Sequence, residues 1–164
     1  MDDPLDREPA AGAGPVYSAM VEFFEDDDWP YTVVPGEPVL SMHFVGENGH
    51  WLCYAQARDE QQQFVFYSVC PMAMPDFKRE AVAEFVTRAN YGMIIGNFEL
   101  DYNDGEVRYK TSLDVEGTYL SAPLIRQAVY ANVLMMDRYL PGLLALVYTD
   151  ITPAEAVAQA EGKH

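Results

Sequence analysis

The sequence predicts an α+β fold, an antiparallel sheet with helices packed on it, in the order α-β-β-β-α-β-β-α. Three observations predict it. The first is an alternation from Asn97 to Gly117: Phe98, Leu100 and Tyr102 alternate with Glu99, Asp101 and Asn103, and Val107, Tyr109, Thr111, Leu113 and Val115 alternate with Glu106, Arg108, Lys110, Ser112 and Asp114. A period of two marks strands with one wet and one buried face. The second is three more strand-like runs, Val39 to Val45, Trp51 to Ala57 and Phe64 to Cys70, separated by Asn48-Gly49 and by a polar loop around Asp59 to Gln62. The third is apolar residues at helical spacing in stretches that open near Pro15, Asp76 and Ser121.

Taken in order, residues Met1 to Gly14 carry Asp2, Asp3, Asp6 and Glu8 among Pro, Ala and Gly, a composition that predicts a disordered acidic arm. Residues 15–160 read as one domain. Val16, Met20, Val21 and Phe24 space out a first helix that ends in Glu25, Asp26, Asp27 and Asp28. Four carboxylates there oppose the helix dipole, which suits a solvated end or a docking patch for a basic partner. A short extended segment, Tyr31 to Val34, stops at Pro35-Gly36-Glu37-Pro38. In the three strands that follow, an Asn48-Gly49 turn puts Leu40, Met42, Phe44, Trp51, Cys53, Ala55, Phe64 and Phe66 on one face, the predicted helix-covered core. Ser41, His43, Val45, Leu52, Tyr54, Gln56, Val65 and Tyr67 share the other face, mixed in polarity and rich in rings.

Asp76 is placed to cap a second helix with a stripe of Phe77, Ala81, Val82, Phe85, Val86 and Ala89, closed by Gly92. In the later hairpin, a two-residue Asp104-Gly105 turn sets Tyr102 opposite Val107, Asp101 opposite Arg108 and Glu99 opposite Lys110. Ser121 caps the longest helix, where Ile125, Val129, Val133, Met136 and Leu140 trace one stripe and Leu124, Ala128, Ala131 and Met135 a second. A helix this apolar must be covered on more than one side. Pro141-Gly142 is expected to kink or interrupt it before Leu143 to Tyr148. Thr152-Pro153-Ala154-Glu155 opens a final short helix with a capping box.

The chain has 164 residues and a formal net charge of -16, with 26 acidic against 10 basic residues. That balance repels phosphate backbones, so nucleic acid is excluded as a partner. No basic segment precedes an apolar one, and no apolar run approaches the roughly 20 residues needed to cross a bilayer, so the chain is expected to be soluble, unexported and cytoplasmic, without a membrane partner. Cys53 and Cys70 make no disulfide framework and read as small buried thiols in a reducing compartment.

A search for chemistry finds no G-x-S-x-G, no G-x-x-x-x-G-K and no G-x-G-x-x-G after a strand. His50 and Cys53 have a metal-like separation, but residues three apart on a strand point to opposite faces, so no metal is assigned. Asp101 to Gly105 superficially looks like the start of a calcium loop, yet such a loop wants its glycine one position later and a closing Glu at the twelfth. Glu99 and Asp101 lie on one strand face as paired carboxylates would, but each has a cation opposite, and structural pairing accounts for both. His43 is the one histidine placed beside Tyr54 across a strand pair, where a general base would need a nearby reacting group. No catalytic residue and no cofactor is assigned.

The stretch Asn97-Phe98-Glu99-Leu100-Asp101-Tyr102-Asn103-Asp104-Gly105-Glu106-Val107-Arg108-Tyr109-Lys110, together with Leu134-Met135-Met136-Asp137-Arg138-Tyr139-Leu140-Pro141-Gly142, resembles the YbjN-like family, and the element order is similar to the type III secretion chaperone-like fold. The resemblance covers most of residues 15 to 148 and is strongest in the second half. It implies an α+β protomer, commonly dimeric, like the small acidic chaperones that hold a partner segment against sheet and helix surfaces. The family carries the label of a sensory transduction regulator, and no catalytic residues travel with it.

The expected function is therefore a non-enzymatic homodimer that binds a protein or peptide as adaptor, chaperone or regulator. Partner contacts are expected at His43, Tyr54, Tyr67 and Met135, and dimer contacts at Phe77, Phe85, Tyr102 and Tyr109. The second reading is a small-ligand sensor or an enzyme of unrecognised type, with a pocket lined by His43, Tyr54 and Tyr67.

Overall fold

The computed structural model describes residues 14–163; the acidic arm expected at Met1 to Gly14 therefore lies outside the described residues, apart from Gly14. The elements are α1 (Pro15–Asp26), β1 (Thr32–Val33), β2 (Val39–Val45), β3 (His50–Arg58), β4 (Gln63–Val69), α2 (Arg79–Asn90), β5 (Asn97–Leu100), β6 (Val107–Asp114), α3 (Ala122–Tyr148) and α4 (Pro153–Ala160). All six strands form one antiparallel sheet in the order β1-β2-β3-β4-β6-β5.

The period-two pattern sorts the sheet as the sequence predicts. Leu40, Met42, Trp51, Cys53, Ala55, Phe64 and Phe66 are buried, and so are Phe98, Val107, Tyr109 and Thr111 on the same face. The helices lie on that side: Phe24 of α1 stacks on Phe66 of β4, and the α3 ring Tyr139 meets Phe98 of β5 edge-on. Along α3, Ile125, Val129, Val133, Met136 and Leu140 are all buried. At its centre the Asn132 amide donates to the Phe66 and Tyr109 carbonyls at 2.9 and 3.0 Å, and the Thr111 hydroxyl donates to the Ala128 carbonyl at 2.9 Å. These bonds pin the helix to the middle of the sheet, where a buried amide must find partners.

Both hairpins keep the predicted faces but shift the predicted register by two residues. In β2–β3, Val45 pairs with His50 and His43 with Leu52, so His43 does not stand opposite Tyr54. The turn closes through the Gly46 N–H on the Gly49 carbonyl at 2.7 Å. Its outer donors are held from far away in sequence: the Asp137 carboxylate of α3 accepts the Glu47 and Asn48 N–H groups at 3.0 and 2.8 Å. In β5–β6, Glu99 faces Arg108, and Leu100 faces Val107. A two-residue primed turn of this type requires positive φ at both Asp104 and Gly105, and of the two only Gly105, at 81°, has it. Instead the Asp101 and Asp104 carboxylates accept the Asn103 and Glu106 N–H groups at 2.8 and 2.9 Å, building a longer loop. Asp101 is thus spent on the loop, and Glu99 takes both cations, Arg108 at 3.0 Å and Lys110 at 3.2 Å.

Pro141 does not interrupt α3, which runs unbroken from Ala122 to Tyr148. A proline removes the N–H that would bond the carbonyl four residues back, here that of Asp137. That carbonyl accepts the Asn48 side-chain amide at 3.0 Å, so the vacancy is filled from the β2–β3 turn. One residue, Asp137, grips the turn with its carboxylate and with its backbone oxygen. Gly142 lets the chains approach: a Cβ there would come within 2.8 Å of the Phe85 ring.

The caps divide likewise. Ser121 and the Thr152–Glu155 capping box form as predicted. The N-terminus of α1 has no local side-chain cap and is closed by Asp59 of the β3–β4 turn, which accepts the Val16 and Tyr17 N–H groups at 2.7 and 3.2 Å. Asp76 makes no cap to α2. Residues 76–78 wind as a separate 3₁₀ turn, Asp76 pairs with Arg79 at 2.6 Å, and Phe77 leaves the apolar stripe and stands 79% exposed. The acidic end of α1 is partly consumed in bonding: Asp27 accepts the Trp29 indole N–H at 2.8 Å and the Tyr130 hydroxyl at 2.6 Å, and Glu25 accepts the Tyr31 hydroxyl at 2.7 Å.

Candidate functional site

The sheet's second face carries Val39, Ser41, His43 and Val45 from β2, His50, Leu52, Tyr54, Gln56 and Arg58 from β3, and Gln63, Val65, Tyr67 and Val69 from β4. Arg108, Lys110, Ser112 and Asp114 from β6 complete it, with Asn97 and Glu99 of β5 at its edge. Strand register builds rows across it: Ser41, Tyr54, Tyr67, Lys110 in one, and His43, Leu52, Val69, Arg108 in the next. Val45 is 75% exposed and Leu52 50%, while Tyr54, Tyr67 and Val69 are half-buried. The face thus leaves aliphatic and aromatic side chains wet between polar ones.

The polar groups on it are held in fixed places. The Arg108 guanidinium lies 4.3 Å from the centre of the Tyr67 ring, a cation–π geometry that also orients it toward Glu99. Arg58, Gln63, Tyr67, Lys110, Ser112 and Asp114 line a shallow depression of about 250 Å³. The Asp114 carboxyl is held below the usual carboxylate range by the Glu116 N–H and the Gln63 amide. His43 and His50 meet at one end, Nε2 to Nδ1 at 3.0 Å, a hydrogen bond between the two rings.

The two edges of the sheet differ in what they offer an added strand. At one edge β1 is two residues long. At the other, the Asn90 side chain at the end of α2 accepts the Phe98 N–H at 2.7 Å and donates to the Phe98 carbonyl at 3.0 Å, standing where a neighbouring strand would.

Of the residues expected to contact a partner, the structure brings Tyr54 and Tyr67 together, directly opposite one another on the open face, with His43 one row away. Met135 does not join them. It is on α3, half-buried against the core on the other side of the sheet. Of the residues expected at a dimer interface, Phe85 and Tyr109 are fully buried in the chain's own core and have no area to offer, because Phe85 packs on Tyr139 and Tyr109 on Phe98. Phe77 and Tyr102 are exposed, on either side of Arg79, whose guanidinium donates to the Tyr102 carbonyl at 2.9 Å. Sequence reading missed Tyr91, Ile94 and Ile95 in the α2–β5 loop, all exposed, with Ile94 at 90%. Their signal is an apolar run broken by two glycines, Gly92 and Gly96, with no strand or helix periodicity to bury it.

His50 and Cys53 lie on opposite faces, and among the described residues no three His, Cys, Asp or Glu side chains are grouped to hold a metal ion. Burial pushes the Cys53 thiol up to about 12 and that of Cys70 to about 11, which makes both poor nucleophiles. No helix among the described residues is long and apolar enough to cross a membrane.

Comparison with known proteins gives a family and a fold. The profile of the YbjN family, described as "Putative bacterial sensory transduction regulator", matches residues 18–145. No curated protein matches the sequence. Among solved structures, that of YbjN from E. coli, described as "a putative transcription regulator", is similar with a TM-score of 0.59 at 11% identity, covering 90% of this chain and 94% of that one. A chain of the HopA1–SchA chaperone–effector complex gives 0.48 at 13% identity, covering 74% of this chain and 88% of that one. The Yersinia pestis type III secretion chaperone SycH, solved with a fragment of YscM2, gives 0.40 at 12%, covering 72% and 93%.

Proposed function

This chain belongs to the YbjN family, and on that premise we propose that it is a non-enzymatic protein-binding regulator or adaptor, whose docking surface is the open face of the sheet. One observation carries the reading. A six-stranded sheet covered by helices on one side leaves Leu52, Val45, Tyr54, Tyr67 and Val69 in contact with water on the other. With the β5 edge occupied by Asn90 and β1 only two residues long, a partner engages this surface through side chains more than by adding a strand. The family's description as a regulator of sensory transduction suits a protein that acts by binding.

The test is native co-purification of the full chain. Wild type is expected to retain a stoichiometric protein partner, and the double substitution Leu52→Ser, Tyr54→Ser to lose it while its circular dichroism stays unchanged. Recovery unaffected by the substitutions removes the open face as the docking surface.

We further propose a homodimer, formed through the exposed apolar residues Phe77, Tyr91, Ile94, Ile95 and Tyr102 around α2 and the β5–β6 hairpin. Light scattering at micromolar concentration is expected to give twice the 18.4 kDa chain mass. A single 18.4 kDa species ends that part of the proposal. The alternative of a small-ligand pocket shared by His43, Tyr54 and Tyr67 has less support: the depression that Tyr67 lines is built with Arg58 and Lys110.

A further inference from the structure

A chain with a net charge of -16 suggests a basic partner. The open face argues the reverse. We infer that the segment held there is acidic, with alternating carboxylates and apolar side chains; this rests on the open face being the docking surface.

The charge of the molecule is distributed against its total. Of 26 acidic residues, the strands place only Glu99 and Asp114 on the open face, against Arg58, Arg108 and Lys110 of the ten basic ones, together with His43 and His50. Both carboxylates are already engaged. Asp114 accepts the Gln63 amide at 3.1 Å and the Glu116 N–H at 3.0 Å. Glu99 is shared between two cations, bonding Arg108 through Nε alone at 3.0 Å and Lys110 through Nζ at 3.2 Å. One carboxylate cannot neutralise two cations. A guanidinium has five N–H donors and an ammonium three, so both retain donors for an incoming carboxylate.

The apolar and basic groups are also in usable order. The row His43, Leu52, Val69, Arg108 and the row Ser41, Tyr54, Tyr67, Lys110 each run from a polar end, through an apolar or aromatic middle, to a cation on β6. Arg58 and Lys110 stand together in the depression beside Tyr67. A bound segment therefore meets apolar contacts at the centre and positive charge along one flank. At the ends of the strands the loops carry Glu37, Glu47, Glu60, Asp104 and Glu106, an acidic rim, while Asp59 is turned to the N-terminus of α1. An acidic segment is repelled by that rim and accepted only on the floor inside it, which confers selectivity by exclusion as well as by attraction. A basic segment is held by the rim and meets Arg58, Arg108 and Lys110 on the floor.

The experiment uses the full chain and three fluorescein-labelled 12-residue probes, alternating Leu with Glu, with Lys or with Ser, followed by fluorescence anisotropy. The Glu-Leu probe is expected to bind saturably, and Arg58→Glu with Lys110→Glu to weaken it tenfold or more. The neutral pair Arg58→Gln with Lys110→Gln is expected to weaken it less, in the same direction, and serves where charge reversal disturbs folding. The Lys-Leu probe is expected to bind the charge-reversed protein no more weakly than wild type. Absence of Glu-Leu binding, or Glu-Leu binding unchanged in both variants, overturns the inference. The Ser-Leu probe separates the two levels: if it binds and Leu52→Ser with Tyr54→Ser weakens it, the docking surface stands although the preference for acid has failed; if neither neutral nor acidic probe responds to those substitutions, the docking surface itself is wrong.

Discussion

The two faces of this sheet share every backbone hydrogen bond and differ in almost everything else. On one, Trp51, Phe64, Phe66, Leu40 and Tyr109 are sealed under α1, α2 and α3; on the other, Val45, Leu52, Tyr54 and Tyr67 stand in the same strands with nothing described above them. Alternation of the pleat lets one stretch of chain supply stability on one side and contact surface on the other. The difference teaches where each kind of residue is replaceable. Covered-face side chains are constrained by their neighbours within the chain, and open-face side chains, on the function proposed, by a partner.

The sharpest way to break the comparison is at Phe66, which stacks on Phe24 and meets Trp29 edge-on. Phe66→Ala is expected to cost about 3–5 kcal/mol in urea denaturation followed by circular dichroism, since the cavity sits under three elements. A loss of under about 1 kcal/mol would mean that the helices are not packed as described. Next is Asp137, which holds the covered helix to the β2–β3 turn. Asp137→Ala removes a charged acceptor from two N–H donors, and is expected to cost about 2–4 kcal/mol. Asp137→Asn keeps one acceptor oxygen and is expected to fall between the two.

Asp137 also shows what was legible in the sequence and what was not. Strand positions, the face each residue takes, the Ser121 and Thr152 caps and the buried stripe of α3 were all readable, because each depends on neighbours one to four residues away. Register was not. Asn48-Gly49 and Asp104-Gly105 both advertise two-residue turns, and both hairpins pair two residues out of the register those turns would set, one held by Asp137 from the distant α3 and the other by its own Asp101 and Asp104. A shift of two preserves which face each side chain takes, so the prediction of the core survived an error in pairing. Pro141 misled for the same reason: the partner that fills its missing bond, Asn48, lies 89 residues from Asp137. Of the candidate site, the shared open face of Tyr54 and Tyr67 was readable from alternation alone. Phe85, Tyr109 and Met135 were misplaced because periodicity says that a residue is apolar and aligned, not which neighbour covers it.

A smaller effect separates the faces by pH. Cys53, on the covered face, has its thiol raised from 9.0 to about 12 by burial. Folded and unfolded chains both keep that proton below pH 9; above it the unfolded chain ionises first, so stability present below pH 9 is lost progressively up to about 12. Cys70 acts likewise toward about 11, and Tyr109 from 10.0 toward about 12. The urea midpoint is expected to fall between pH 7.5 and 10.5, and Cys53→Ala to fall less steeply over the same interval. Equal slopes for wild type and variant would show that this thiol is not protected by the core.

The smallest effect on stability is expected at the residues with the largest effect on binding. Leu52→Ser and Tyr67→Ser remove apolar groups that water already reaches, so each is expected to shift stability by no more than about 0.5–1 kcal/mol. Tyr67 is the more informative of the two, because the Arg108 guanidinium lies on its ring. Removing the ring frees Arg108 to turn toward Glu99, with which it already bonds through Nε. A partner that reads the stacked arginine then loses affinity for Tyr67→Ser and keeps it for Tyr67→Phe, which retains the ring and lacks only the hydroxyl. If the two variants weaken the partner equally, the tyrosine hydroxyl is the contact, and the comparison between faces rests on hydrogen bonding and not on the aromatic and cationic surface.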